Sequence, residues 1–95
     1  MAAYLVVDVE VTDPAGFEDY KQQVQATLAR YGGRYIIRGG HTETLEGSWK
    51  PKRVVILEFP DRTAAKAWWS SSEYAPLKAL RQRSARTELV VVDGI

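Results

Sequence analysis

The stretch AYLVVDVEV at residues 3–11 has the period-two pattern and the β-branched content of a strand. Val7 falls on one face of this strand, and Val6 falls on the opposite face. Two later stretches, KRVVILEF at residues 52–59 and TELVVVD at residues 87–93, also carry apolar side chains on both faces. An antiparallel sheet with one face in water shows a cleaner alternation of apolar and polar residues. We therefore expect both faces of the sheet to be covered.

Helix signals separate the strands. Asp13 followed by Pro14 marks a helix start, because aspartate caps the first turn and proline is tolerated at the first helical position. The next large side chains recur at steps of three and four, which places them on one helical face: Phe17, Tyr20, Val24, Leu28 and Tyr31. Glycines at 32–33 end this helix. A second helix is predicted after Asp61, and the three serines at 70–72 break it, with Ser72 as a candidate cap for the segment that follows.

With a short strand at residues 34–38, the order of elements is βαββαβ. This order indicates the ferredoxin-like α+β fold, an antiparallel sheet with its helices on one face. The remaining apolar face would be a large exposed patch on a monomer, which is unusual. A second copy packed sheet against sheet would cover it and add to the small core of the chain. The sequence predicts one domain over residues 1–95 that forms a homodimer.

Composition narrows the possible partners. The chain has 95 residues, 13 of them basic and 12 acidic, and its net charge is +1. This balance gives no long-range attraction to nucleic acid or to anionic lipid, so we expect neither partner. No apolar run is long enough to span a membrane, and the N-terminus lacks a signal-peptide pattern. The absence of cysteine excludes disulfides and thiolate catalysis. A cytoplasmic location is the default expectation.

Four short motifs are spread over much of the chain: RGG at 38–40, LEG at 45–47, EFP at 58–60 and SEY at 72–74. Arg81, in the last predicted helix, is a further match. Together they resemble the family known as domain of unknown function 1330. The resemblance implies the dimeric α+β barrel superfamily, in which two ferredoxin-like sheets form one barrel with the helices outside. Relatives there include cofactor-free quinol monooxygenases, small isomerases, heme enzymes and ligand-sensing modules. The resemblance therefore implies a fold and a dimer, and no single reaction.

His41 is the only histidine of the chain, and histidine is the residue type best suited to proton transfer near neutral pH. It follows two glycines, where the backbone can approach a ligand closely. It is a candidate acid or base at the mouth of a pocket, and the alternative is a solvated loop residue. With a single histidine and no cysteine, we expect no metal site and no cofactor.

Carboxylates inside the strands are a second group of candidates. Asp8 and Glu58 lie within predicted strands, and a carboxyl group buried in a sheet has a raised pKa unless it is paired. Such a group could act as a general acid or base. The alternative, which we favour, is an ion pair across strands or across the dimer interface, for example with Arg38 or Arg53.

Trp68 and Trp69 are adjacent, and neighbours on a helix point about 100° apart. One of the two should therefore face a cavity, a partner subunit or solvent. With Tyr74 and Arg81 close by in sequence, this region is the best candidate for the wall of a small-molecule pocket.

Two functions stay open at this point. The first is a cofactor-free enzyme, isomerase or monooxygenase-like, that acts on a small acidic or aromatic molecule. His41 and Arg81 would be its catalytic residues, and its ligand-binding residues would be Tyr20, Arg38, Trp69 and Tyr74. The second is a non-catalytic ligand-binding or structural dimer module, in which Arg81 is a surface residue or pairs with Glu73 or Glu88.

Overall fold

The computed structural model describes all 95 residues, with seven elements in chain order. They are β1 (Ala3–Val11), α1 (Pro14–Ala29), β2 (Arg34–Arg38), β3 (Val54–Phe59), α2 (Arg62–Trp69), α3 (Ala75–Ser84) and β4 (Ala85–Asp93). The strands form one antiparallel sheet in the order β2-β3-β1-β4, and the three helices cover one of its faces. The predicted ferredoxin-like α+β fold is confirmed.

The predicted helix starts are also confirmed. Asp13 caps α1 and accepts a hydrogen bond from the backbone N–H of Gly16 at 3.3 Å. Asp61 caps α2 in the same way, with the N–H of Ala64 at 2.8 Å. These contacts satisfy backbone donors that have no partner within the helix.

Two strands differ in length from the prediction. β3 begins at Val54 rather than at Lys52, because the backbone N–H groups of Lys52 and Arg53 bind the Asp8 carboxylate. β4 begins at Ala85 rather than at residue 87, because Ala85 pairs with the last residue of β1.

The core lies between the inner face of the sheet and the helices. Trp68 in α2 is its largest side chain and is only 1% exposed. Its ring centroid lies 5.7 Å from that of Phe59 and 3.9 Å from that of Tyr74. The indole N–H donates to Thr27 Oγ1 at 2.9 Å, so burial leaves no unpaired donor on this side chain.

The outer face of the sheet has no helix over it. A row of apolar side chains crosses all four strands there, because cross-strand partners lie side by side: Ile37, Ile56, Val6 and Val90. Val90 is 60% exposed. The sheet is therefore apolar on both faces, as its sequence pattern indicates.

None of the three helices combines the length and the apolar character needed to cross a bilayer. The cytoplasmic location stays a prediction from the sequence.

Close packing at the end of β3 predicts that Gly33→Ala destabilises the fold. A Cβ at Gly33 would lie 2.6 Å from the ring of Phe59, which is 1% exposed and packs against Trp68. We expect a loss of about 1–3 kcal/mol in the free energy of unfolding, measured by urea denaturation. Gly40→Ala is the control, since a Cβ there meets no atom within 4 Å. Equal losses in the two variants would contradict this packing.

Candidate functional site

A cavity of about 40 Å³ lies between the helices and the inner face of the sheet. Of the 14 residues that line it, ten are hydrophobic, and the other four are all basic: Lys21, Arg38, Arg53 and Arg81. No aspartate, glutamate or histidine reaches it. The volume suits roughly two or three water molecules or a small chemical group.

A chain of hydrogen bonds runs along one wall of the cavity. Arg81 Nε donates to the Tyr74 hydroxyl at 3.1 Å, and that hydroxyl lies 2.8 Å from the hydroxyl of Tyr20. Arg81 Nη1 donates to Thr87 Oγ1. These hydrogen bonds link α1, α3 and β4, and they fix the planes of both phenols and of the guanidinium group.

The break between α2 and α3 positions Tyr74. The Ser71 hydroxyl donates to the carbonyl of Trp68 at 2.8 Å and accepts the backbone N–H of Tyr74 at 3.2 Å. This serine, rather than the predicted Ser72, makes the capping contact. The turn it closes brings the Tyr74 ring against Trp68 and aims the Tyr74 hydroxyl at Arg81.

Arg81 is only 5% exposed, yet it has no carboxylate partner. None of the four ion pairs of the chain includes it. The alternative of a pair with Glu73 is wrong, because Glu73 binds Arg30 and the Tyr31 hydroxyl instead. Burying an unpaired charge costs several kcal/mol in real proteins. Two neutral hydroxyls offset only part of that cost, so the guanidinium is free to pair with an anion in the cavity.

Two further arginines enter the cavity from the ends of β2 and β3. The Arg38 guanidinium lies 4.6 Å from the ring centroid of Tyr35, and that of Arg53 lies 5.9 Å from the ring centroid of Phe17. Neither forms an ion pair. The cavity is therefore walled by aromatic rings and carries an excess of positive charge.

Glu58 forms the cross-strand ion pair that the sequence favours, with Arg34 of β2 as its partner rather than Arg38 or Arg53. Glu58 lies on the outer face of the sheet, where it binds Arg34 at 2.7 Å and the Tyr4 hydroxyl at 3.0 Å. These two hydrogen bonds hold the pKa of the Glu58 carboxyl below its usual range. Glu58 cannot reach the inner face, so it neutralises none of the cavity arginines.

The phenols of the cavity act as hydrogen-bond donors rather than as bases. Burial, followed by the neighbouring Tyr74, raises the pKa of the Tyr20 phenol well above its usual value. Burial also raises the pKa of Tyr35. Both groups therefore keep their protons at neutral pH. The cavity can stabilise an anion, and its lining offers no carboxylate or imidazole to accept a proton.

The structure brings together four of the predicted site residues: Tyr20, Arg38, Tyr74 and Arg81. Trp69 lies outside the cavity, 41% exposed, with the Lys78 ammonium 3.7 Å from its ring centroid. Trp68 takes the cavity position instead, because its side of α2 faces the sheet. His41 is exposed in the loop after β2 and does not line the cavity.

Sequence reasoning gave no ligand role to Arg53, which the structure adds to the cavity. The alternation in KRVVILEF could have indicated this position, because Arg53 lies two and four residues before the inward-facing Val55 and Leu57 and so shares their face of the strand.

Solved structures confirm the fold class. A protein of unknown function from Rhodopseudomonas palustris superposes with a TM-score of 0.80 at 17% identity, covering 99% of this chain and 82% of that one. A cofactor-independent oxygenase from Streptomyces nogalater superposes at 0.67 and 16% identity, covering 99% and 93%. A dimeric ferredoxin-like protein from Jannaschia sp. CCS1 gives 0.65 and 16%, covering 99% and 100%. At these identities the likeness shows the fold alone.

The chain is thus a ferredoxin-like α+β protein with an arginine-rich inner cavity. It belongs to the family of the domain of unknown function DUF1330, whose profile matches residues 2–95. The resemblance seen in the sequence motifs is therefore confirmed. No curated protein matches the sequence.

The hydrogen-bond chain predicts that Tyr74→Phe destabilises the protein. The change leaves the buried Tyr20 hydroxyl without its partner and removes the acceptor of Arg81 Nε. We expect a loss of about 1–3 kcal/mol in the free energy of unfolding, measured by chemical denaturation. Tyr31→Phe is the matched control, because its partner Glu73 remains 35% exposed to solvent, and its loss should stay below about 1 kcal/mol. A Tyr74→Phe variant with the same free energy of unfolding as the wild-type protein would contradict this hydrogen-bond network.

Proposed function

We propose that this chain is a cofactor-free enzyme that binds a small acidic aromatic molecule and stabilises its anionic form, an enolate or a phenolate. The observation that carries the proposal is the buried Arg81, held by Tyr74 and Thr87, without a carboxylate partner. Donors fixed in a dry site toward developing negative charge are commonly the largest contribution to transition-state stabilisation.

The roles of the residues follow from their placement. Arg81 supplies positive charge to the oxyanion, and the hydroxyl pair of Tyr20 and Tyr74 supplies one neutral hydrogen bond, because one hydroxyl of the pair donates to the other. Trp68 and Tyr35 offer flat apolar surface to an aromatic ring. No carboxylate or imidazole lies in the cavity, so the substrate enters as an anion or loses its proton to water. The proposal requires no role for His41.

Ligand entry requires the cavity to widen. A cavity that binds benzene has about 150 Å³, well above the 40 Å³ seen here. Arg38 is exposed and the Lys21 side chain is 31% exposed, so both can swing outward without disturbing the core. The buried end of the cavity then receives the oxyanion, and the aromatic ring occupies the widened part.

A stabilised enolate or phenolate is electron-rich, which suits direct reaction with dioxygen. In such an oxygenation the ring carbon that is a CH2 group in the keto form of the substrate becomes a carbonyl, with one atom of dioxygen entering the product and the other leaving as water with the two hydrogens. The Streptomyces nogalater oxygenase, which shares the fold, is described as cofactor-independent. Fold likeness supports this reaction class only by analogy. An isomerase would use the same anion and return a proton to a different carbon.

The second candidate is a non-catalytic ligand-binding module. It is favoured by the small volume of the cavity and by the absence of a proton acceptor from its lining. Such a module would be stabilised thermally by the ligand and would convert none of it.

We also propose that the chain works as a homodimer joined through the outer face of the sheet. The apolar row that includes Val6, Ile56 and Val90 supports this arrangement, because no helix covers it. The loop between β2 and β3 lies beside Val6 and Ile56 and leaves Val90 60% exposed. The Jannaschia protein of the same fold is described as dimeric.

Arg81→Met tests the enzymatic proposal, with naphthohydroquinone as the probe and an oxygen electrode as the detector. We expect the wild-type protein to accelerate oxygen uptake and the variant to lose about 100-fold or more of that acceleration, because the oxyanion loses its charged donor. Arg83→Met, an exposed position in the same helix, should keep the full rate. An Arg81 variant as fast as wild type would overturn the assigned role. Thermal stabilisation by the quinol without oxygen uptake would establish the binding module instead.

Val90→Lys tests the dimer by light scattering at micromolar concentration. The wild-type mass should be that of two chains, and the variant mass that of one, because a charged side chain would be buried in the apolar interface. Ala79→Lys places the same side chain at an exposed position of α3 and should leave the dimer intact. A wild-type protein with the mass of a single chain would refute this interface.

A further inference from the structure

We propose that Arg38 and Arg53 form a second anion site at the mouth of the cavity, which binds a carboxylate carried by the ligand. This inference rests on the proposed ligand-binding function of the cavity. It adds the substrate class, an aromatic carboxylic acid, and it assigns the binding of the acid group to residues other than Arg81.

The sheet brings the two arginines to the same place. Arg38 is the last residue of β2 and lies opposite Val55, and the next residue, Gly39, donates its N–H to the carbonyl of Val54 at 2.8 Å. Arg53 precedes β3 by one residue and shares the inward parity of Val55. Both side chains therefore line the cavity from the same end of the sheet.

Gly39 makes room for this arrangement. Its φ of +75° lies in the left-handed region that glycine adopts at no steric cost. A Cβ at this position would overlap the guanidinium group of Arg53. The glycine of the RGG motif thus lets Arg53 lie directly against the backbone of the turn that follows Arg38.

The two guanidinium groups have no counter-charge within the chain. Neither takes part in an ion pair, and Arg53 Nε is buried without a hydrogen-bond partner. The one other charged group of this lining besides Arg81 is Lys21, which is itself cationic and pairs with Glu18 at 3.1 Å. Buried polar groups without partners are costly and rare, so an unpaired donor beside a cavity indicates a ligand.

A carboxylate fits this site best among small anions. Arginine presents a planar fork of N–H donors that matches the two oxygens of a carboxylate. The surrounding surface is aromatic, since Phe17 and Tyr35 lie beneath the two guanidinium groups. A flat acid would place its ring against these walls and its carboxylate between the arginines.

Asp8 holds Arg53 in place from the opposite face of the sheet. Its carboxylate accepts the backbone N–H groups of Lys52 at 3.0 Å and Arg53 at 3.4 Å, together with the indole N–H of Trp49 at 3.0 Å. The carbonyl of Arg53 accepts the N–H of Val9 at 2.8 Å. Asp8 is therefore a positioning residue, which fixes the backbone of Arg53 without contacting the ligand.

Isothermal titration calorimetry with benzoate and benzamide tests the site, because the two probes share a shape and differ in charge. We expect wild-type protein to bind benzoate about tenfold or more tightly than benzamide, as suits a charge-assisted hydrogen bond. Arg53→Met and Arg38→Met should each reduce that ratio toward one while leaving benzamide binding within about twofold. Arg53→Lys should restore part of the preference. Arg83→Met, exposed on α3, should keep all of it.

The other possible results of the calorimetry would each contradict a specific part of the proposal. Equal binding of the two probes by wild-type protein overturns the carboxylate site and leaves the cavity function standing. Full preference in both arginine variants overturns the assignment to these residues. Failure of wild-type protein to bind either probe overturns this inference, and the proposed function then stands or falls separately on the oxygen-uptake assay. If Arg53→Met fails to fold, the exposed Arg38→Met decides the question.

Discussion

The hydrogen bond from Arg81 Nε to the Tyr74 hydroxyl organises the interior of this protein. A buried guanidinium group needs acceptors, and Tyr74 and Thr87 supply them from two different elements. Tyr74 can serve because the chain breaks between α2 and α3 at Ser71. The break therefore has a structural purpose beyond ending a helix. It places the Tyr74 hydroxyl next to the buried Arg81 guanidinium, which has no carboxylate partner and lines a cavity with aromatic walls.

The sheet separates two kinds of surface. Its inner face carries the arginines of the cavity, and its outer face carries the apolar row and the acidic partners Asp8 and Glu58. Strand alternation keeps these carboxylates away from the arginines, so the inner positive charge stays available. The loop between β2 and β3 joins the two surfaces, because Trp49 binds Asp8 on the outer face while Arg53 enters the cavity.

Local signals in the sequence predicted the strands, the helix starts and the apolar outer face, since caps and alternation depend on neighbouring residues. The choice between Trp68 and Trp69 depends on how α2 is rotated against the sheet, which its short sequence does not determine. Tyr35 and Arg38 both face inward although three positions separate them, because an irregularity between Tyr35 and Ile37 shifts the register of β2. Nothing in RYIIR marks that shift. The alternation of β3, by contrast, already separated Glu58 from Arg53.

We infer that the arginines of the cavity are unpaired because they bind an anionic ligand. A crystal structure of the protein grown with benzoate would show where the carboxylate binds. We expect a widened cavity with the carboxylate within hydrogen-bond distance of Arg53 and the ring against Tyr35. A closed cavity, with Arg38 and Arg53 bound to carboxylates of a second copy of the chain, would contradict it.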